Sequence, residues 1–264
     1  MDNARPQRPA GGRRAGRSRA SLERFQRHYT PRAHVLAAAS LPNFIHGTFL
    51  AKLDDAERAA LLGLGVVRAF PRGSALMFQG EHEDRMFMLL EGRVKVTRFD
   101  GQGHEALLSI RDPGDLLGEL AFIDGDARVA TVSALEPVSA LVAPAQAVRR
   151  HLETTPRVAF VLLETLASRF RNSTIMRSQF ASADTMGRLA ARILELVERY
   201  GEATADGVSL ISPISQEDLA AWTGASRAGV ADALRTMREL GWLQTNRRAI
   251  LVRDADALRA RAPS

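Results

Sequence analysis

An α+β fold in three consecutive parts is predicted: a small antiparallel β-roll, one long helix, and a C-terminal pair of short helices followed by a β-hairpin. Three observations predict it. Between Val66 and about Ala145, short runs rich in Val, Leu, Ile and Phe are repeatedly broken by Gly, Pro or Asp, the pattern of short strands joined by turns. After Pro156 apolar residues recur every three or four positions as far as Tyr200, which is helical periodicity. From Ser215 to Val252 two short helical stripes flank Gly224 and lead into two strand-like runs.

Residues 49–63 come first, with Phe49, Leu50, Leu53, Ala60 and Leu61 near helical spacing and Gly63 at a stop position, so a short helix is predicted there. The strand-like runs that follow are VVRAF, ALMFQG, RMFMLLEG, RVKVTRF, EALLSI, DLLGELAF, VATVSAL and SALVAP. Asp112-Pro113-Gly114 and Asp124-Gly125-Asp126 are among their separators and carry turn chemistry. Strands this short and this evenly spaced bury their apolar faces by closing into a barrel or roll.

In the long helix Phe160, Leu163, Ala167, Phe170 and Thr174 alternate steps of three and four, the spacing of a coiled-coil seam. Such a seam needs a partner, and a second copy of the chain is the simplest one. The alternative is a helix lying along its own barrel. A break is expected between Asp184 and Gly187, beyond which Leu189, Ile193, Leu196, Val197 and Tyr200 form a second stripe.

Ser215, with Asp218 three residues on, has the form of a capping box and opens a helix through Trp222. Gly224 makes the turn, and Ser226 caps a second helix whose buried stripe is Val230, Leu234, Met237 and Leu240. That leaves Ala228, Asp232 and Arg235 on the opposite face, with Gly241 as the stop. WLQT and AILV then form a hairpin whose tip is Asn246-Arg247-Arg248. Two helices, a tight glycine turn and a basic hairpin make a winged helix-turn-helix, which implies double-stranded DNA as partner.

Composition sets limits on the chemistry. The 264 residues suffice for two domains, and 45% apolar with 25% charged residues is ordinary for a soluble globular protein. The longest apolar runs are far shorter than a membrane span, so no membrane partner and a cytoplasmic location are expected. There is no cysteine, and the six histidines are scattered, so neither thiolate chemistry nor a metal site is expected. We find no nucleophile–base pair and no Walker-type loop, which argues against an enzyme. The whole net charge of +6 lies in residues 1–27, where eight arginines face only Asp2 and Glu23. This Arg, Pro and Gly-rich arm is expected to be disordered, either a solvated tail or mis-called start, or a non-specific phosphate contact.

The roll contains GELAFIDGDARVAT, residues 118–131, which resembles the phosphate-binding cassette of cyclic-nucleotide-binding domains. From about residue 45 to 253 the chain resembles the Crp/Fnr family of transcription regulators. The resemblance implies a cyclic-nucleotide-binding-type β-roll sensor in 44–155, a dimerisation helix in 156–184 and a winged helix-turn-helix in 185–264. It implies a homodimer on a palindromic DNA site, in contact with RNA polymerase, and an effector rather than a cofactor: cyclic AMP, with cyclic GMP as the other candidate. A regulator answering to another effector or to none is the alternative within this class. A cyclic-nucleotide-binding module controlling an enzyme or channel is the alternative outside it, and the C-terminal motif speaks against that.

By the same resemblance, Arg128 offers the phosphate a forked, charge-assisted pair of hydrogen bonds. Glu119 accepts from the ribose 2′-hydroxyl, Gly118 admits its backbone to the ligand, and the N–H groups of Val129 and Ala130 help cradle the phosphate. Leu120 and Arg169 join this ligand-binding set. Val129 departs from the family's common Ser or Thr, so one hydroxyl contact is missing. A simpler alternative pairs Glu119 with Arg128 across a turn. Ser173 and Thr174 fall where the family meets adenine, Thr174 also lying on the seam. On the DNA side Arg227 matches the guanine-reading arginine. Ala228 and Asp232 replace residues that normally read bases, so the usual half-site is not carried over. Arg235 lies on the same face, and Ser215, Gln216, Ser226, Arg247 and Arg248 are expected at phosphates.

Overall fold

The computed structural model describes residues 44–211, 214–246 and 249–263. The N-terminal arm of residues 1–27 and the wing-tip residues Arg247 and Arg248 lie outside them. Two four-stranded antiparallel sheets make the roll. One has the order β1 (Val66–Phe70), β8 (Val138–Pro144), β3 (Arg85–Glu91), β6 (Leu116–Leu117), and the other β2 (Ala75–Met77), β7 (Thr131–Ala134), β4 (Val94–Phe99), β5 (Glu105–Arg111). The packed interior holds Leu76, Phe87, Leu89, Val94, Leu117, Val132 and Val142. Five consecutive buried residues in β3, Met86–Leu90, reflect a strand covered on both faces.

Several expectations are corrected. The single helix over 49–63 is a 3-10 turn at Leu50–Lys52 followed by α1 (Asp55–Leu62). Asp54 accepts from the backbone N–H of Glu57 while Glu57 reaches back to the Asp54 N–H, and this capping box restarts the chain as a new helix. The run DLLGELAF is strand only at Leu116–Leu117. Gly118 then turns the backbone with φ +84, and α2 (Glu119–Asp124) begins. Residues between the roll and the long helix, unassigned from the sequence, form α3 (Ala145–Thr154).

The long helix is α4 (Pro156–Ser182), and Asp184 caps α5 (Thr185–Tyr200) by accepting from the Gly187 N–H at 2.8 Å. On α4 Val158, Val161, Leu162 and Thr165 are buried against the roll's outer core with Met86, Met88, Leu116 and Leu141. The other face carries Phe160, Leu163 and Phe170, which are 61%, 60% and 73% exposed. One face of this helix thus packs on its own barrel, as the alternative reading expected, and Phe160, Leu163 and Phe170 of the seam are exposed on the other.

The C-terminal part comprises α6 (Gln216–Thr223), α7 (Arg227–Glu239), a sheet of order β11 (Leu243–Thr245), β12 (Ala249–Val252), β10 (Gly207–Ile211), β9 (Gly201–Thr204), and α8 (Ala255–Arg261). β9, β10 and α8 escaped the sequence reading because β9 is short, polar and exposed and α8 offers one buried anchor, Leu258. The Ser215 box and the Ser226 cap form as expected, and Gly224 is left-handed at φ +62. Leu240 is not in the buried stripe: it is 54% exposed, at the C-terminal cap of α7. Among the described residues no helix is long and apolar enough to cross a membrane.

Roll and C-terminal part share one core, since Leu107, Ile110 and Leu135 belong to the same apolar cluster as Leu219, Trp222, Ile193 and Leu234. Two polar ties frame it. Lys95 of β4 donates to Asp218 of α6 at 2.6 Å, and Asp112 accepts from Tyr200 at 2.8 Å and from Arg199. Arg192 sits between the rings of Phe180 and Trp222 at 4.8 and 4.5 Å, linking α4, α5 and α6.

Candidate functional site: an effector cleft and a DNA-reading helix

A cleft of about 1570 Å³ opens between the cassette, strand β5 and helices α4 and α5. Gly118, Glu119, Leu120, Arg128, Val129, Ala130, Arg169 and Ser173 all line it. Thr174 does not; its hydroxyl, like that of Ser173, donates to the Phe170 carbonyl, at 3.0 and 2.8 Å. Both hydroxyls are therefore held back against their own helix, as Ser and Thr within helices often are.

Arg128 is 3% exposed and its fork is already engaged. Nη1 donates to the Gly118 carbonyl at 2.7 Å, and Nη2 donates to the carbonyls of Glu83, at 3.1 Å, and Arg85. Burial pulls its guanidinium below the usual arginine value, against the opposing pull of Glu83. A Cβ at position 118 would displace Arg128 Nη1, and the positive φ of +84 there favours glycine. Val129 is 44% exposed and Ala130 is buried. The Val129 carbonyl accepts from Arg98 at 2.7 Å.

Glu119 does not pair with Arg128. It accepts from Arg169 of α4 at 2.7 Å, while the other arm of Arg169 donates to Asp115 at 2.8 Å and to the Leu116 carbonyl at 3.0 Å. The cassette is thereby tied to the long helix through one guanidinium. Sequence reasoning treated Asp112 only as a turn residue and Asp115 as the start of a strand-like run, and it overlooked Arg111, which precedes them and also lines the cleft. An arginine closing an apolar strand was the available signal.

Helix α7 presents Arg227, Ala228, Asp232 and Arg235 outward, all exposed, while Val230, Leu234 and Met237 are buried behind them. The Arg227 side chain is 74% exposed and its nearest carboxylate, Glu217 of α6, lies 3.9 Å away. Asp232 accepts from Arg235 at 2.5 Å. Ser226, Ser215 and Gln216 are exposed at the N-termini of α7 and α6, where backbone N–H groups and helix dipoles favour anions.

Comparison with known proteins agrees with this architecture. Residues 67–155 match the family model of the cyclic nucleotide-binding domain and residues 187–261 that of the Crp-like helix-turn-helix domain. The CRP-like cAMP-activated global transcriptional regulator of Mycobacterium tuberculosis is 31% identical over 193 residues, spanning 73% of this chain and 86% of that protein. The global nitrogen regulator of a Nostoc species is 28% identical over 189 residues, 71% of this chain and 85% of that one. The solved structure of the c-di-GMP responsive global regulator CLP of Xanthomonas campestris aligns with a TM-score of 0.69 at 18% identity, over 75% of this chain and 99% of that one, a likeness of fold. With a cyclic nucleotide-binding domain, a Crp-like helix-turn-helix and a relative at this identity, the chain belongs to the Crp/Fnr family and is a DNA-binding transcription regulator, not an enzyme.

Proposed function

We propose that the protein is a cytoplasmic homodimer whose affinity for a palindromic DNA site is set by a small effector, cyclic AMP. The observation that carries this reading is the side-by-side placement of the cassette and α4: Glu119 bonds Arg169 on the very helix whose other face exposes Phe160, Leu163 and Phe170. An effector taking Glu119 changes what holds α4, and α4, as the dimerisation helix of residues 156–184, changes how two copies meet. Cyclic AMP supplies an anion for Arg128, a ribose hydroxyl for Glu119 and an adenine for Ser173 and the partner's Thr174; cyclic GMP is the second candidate. The sensor of residues 44–155 then orients the DNA-binding part of residues 185–264, and RNA polymerase is the downstream partner.

On DNA, two α7 helices enter successive major grooves about one helical turn apart. Arg227 reads guanine, Ser215, Gln216, Ser226 and the wing residues Arg247 and Arg248 contact phosphates, and Ala228, Asp232 and Arg235 give a half-site different from the one usual in the family. A second reading, in which a different effector fills the cleft, is favoured by one observation: the fork of Arg128 is engaged by backbone carbonyls. Calorimetric titration with cyclic AMP and cyclic GMP, followed by DNA binding with and without each, separates the two. Saturable binding of cyclic AMP that tightens DNA binding is the expected result, and no binding of either nucleotide leaves the second reading. Light scattering should give a dimer, split by Phe170→Glu, which places a carboxylate from each copy in an apolar seam.

A further inference from the structure

Six arginines line the effector cleft: Arg111, Arg128, Arg169, Arg177, Arg192 and Arg199. Their charges are not equally met. Arg169 is paired with Asp115 and Glu119, Arg192 with Glu195, and Arg199 with Asp112 and Glu195. Arg128 donates from both Nη atoms to three backbone carbonyls while its buried Nε has no partner, and Arg177 is exposed to water. Arg111 alone of the six is half-buried with a side chain that has no hydrogen bond and no ion pair among the described residues.

The reason lies in the strand and turn around it. Arg111 ends β5, opposite Val94 of β4, and the carboxylates that follow it in sequence are both committed elsewhere. Asp112 is held by Arg199 and Tyr200, and Asp115 by Arg169 and by the Asp112 N–H at 3.0 Å. Burial pulls the guanidinium of Arg111 below its usual value, Arg169 adds to this, and Asp115 and Glu119 only oppose it from a distance. Such a group stays charged, so the chain carries a desolvated cation without a counter-ion. A partly buried charge left unpaired costs stability, and an anion entering the cleft removes that cost.

We propose that Arg111 is an anion-binding residue of the effector cleft, taking a phosphate-class oxyanion of the ligand. The assignment rests on reading this cleft as the effector site, but not on the effector being a cyclic nucleotide. A forked guanidinium suits the two non-bridging oxygens of a phosphodiester or the oxygens of a phosphomonoester. The position also couples ligand to output, since Arg111 adjoins Asp112, whose carboxylate is held by Arg199 and Tyr200 at the end of α5, the helix leading into the DNA-binding part.

The test uses the full chain and Arg111→Met, which keeps the stem and removes the charge, with Arg111→Gln as a second variant in case the methionine does not fold. Thermal unfolding is followed in inorganic phosphate and in chloride of equal ionic strength. Phosphate should raise the melting temperature of the wild type, and neither variant should respond. In chloride Arg111→Met should melt no lower than the wild type, because it loses no bond and sheds an unpaired charge, the opposite sign from a structural arginine. An equal phosphate response in the variants, or no response in the wild type, overturns the assignment. Calorimetry with cyclic AMP distinguishes the sources of the anion. A loss of at least about tenfold in cyclic AMP affinity in Arg111→Met assigns the contact to the nucleotide's phosphodiester. Retained cyclic AMP affinity beside a lost phosphate response assigns it to a different phosphorylated effector.

Discussion

The cleft beside the cassette and the outward face of α7 both carry arginines, yet they are built in opposite ways. In the cleft Arg128 is buried with its fork on three carbonyls and Glu119 is held by Arg169, so these two groups are engaged within the protein, whereas Arg111 of the same cleft is unpaired among the described residues. On α7 Arg227 is 74% exposed and its nearest carboxylate is 3.9 Å away. A ligand taking Arg128 or Glu119 would therefore exchange existing bonds for new ones, whereas DNA would add contacts to an arginine that is largely solvated. Under the proposed function each bond taken by a ligand would release something: the carbonyl of Gly118, or the hold of α4 on the cassette. On the outward face of α7 the ties are exposed ones, Asp232 with Arg235 at 2.5 Å and Arg227 with Glu217 at 3.9 Å, and exposed ion pairs of this kind hold little.

The contrast is sharpest for the two arginines. Arg128→Ala should cost about 3 kcal/mol of stability, because it strands three carbonyls that received charge-assisted bonds, lowering the melting temperature by roughly 6–12 °C. It should also reduce cyclic AMP affinity at least about tenfold. Arg227→Ala should leave the melting curve within about 0.5 kcal/mol of wild type and cost about 1–3 kcal/mol of DNA affinity per half-site, with relaxed preference at one base pair. Scanning calorimetry on both variants breaks the comparison if Arg128→Ala melts like the wild type or Arg227→Ala melts well below it.

A smaller effect isolates the exchange itself. Gly118→Ala puts a Cβ against Arg128 Nη1 on a backbone with φ +84, and the cost should be about 1–2 kcal/mol, part of it the forced swing of Arg128. If that swing frees the fork toward the cleft, phosphate affinity falls less than stability does; titration against melting temperature reads the ratio, and equal losses would refute an exchange.

The least effect comes from the tie between the two regions. Burial pushes the Asp218 carboxyl up, but the bond from Lys95, with those from Ser215, holds it below its ordinary value of about 3.8. Burial likewise lowers Lys95, and the bond to Asp218 outweighs it, so Lys95 titrates above its ordinary 10.5. The depressed carboxylate contributes stability above the unfolded value that is lost as pH falls through the folded one. The raised amine contributes stability that is lost only as pH rises past 10.5. The tie thus persists across neutral pH and fails in acid, and Lys95→Met should flatten the acid limb of the stability profile below about pH 4 by roughly 1 kcal/mol or less. An acid limb unchanged in Lys95→Met would show that Asp218 draws its low value from the Ser215 capping box alone.

Local chemistry determined much of this molecule from the sequence alone. Ser215 with Asp218, and Ser226 before Arg227, announce helix starts because the side chain meets an N–H three residues away. Apolar-rich runs ended by Gly, Pro or Asp place the strands, and the resemblance of residues 118–131 to a phosphate-binding cassette points to the turn beside the cleft. The outward positions of α7 followed from period alone. What the tertiary structure decided is which partner each polar group takes. Glu119 meets Arg169 fifty residues on, Lys95 meets Asp218 in another part of the fold, and Arg111, with two aspartates close behind it in sequence, meets neither. Helices and turns are selected by neighbours along the chain, so sequence reports them. Ion pairs across a cleft are selected by how sheets and helices stack, and competition among six arginines for a few carboxylates has no signature in sequence spacing.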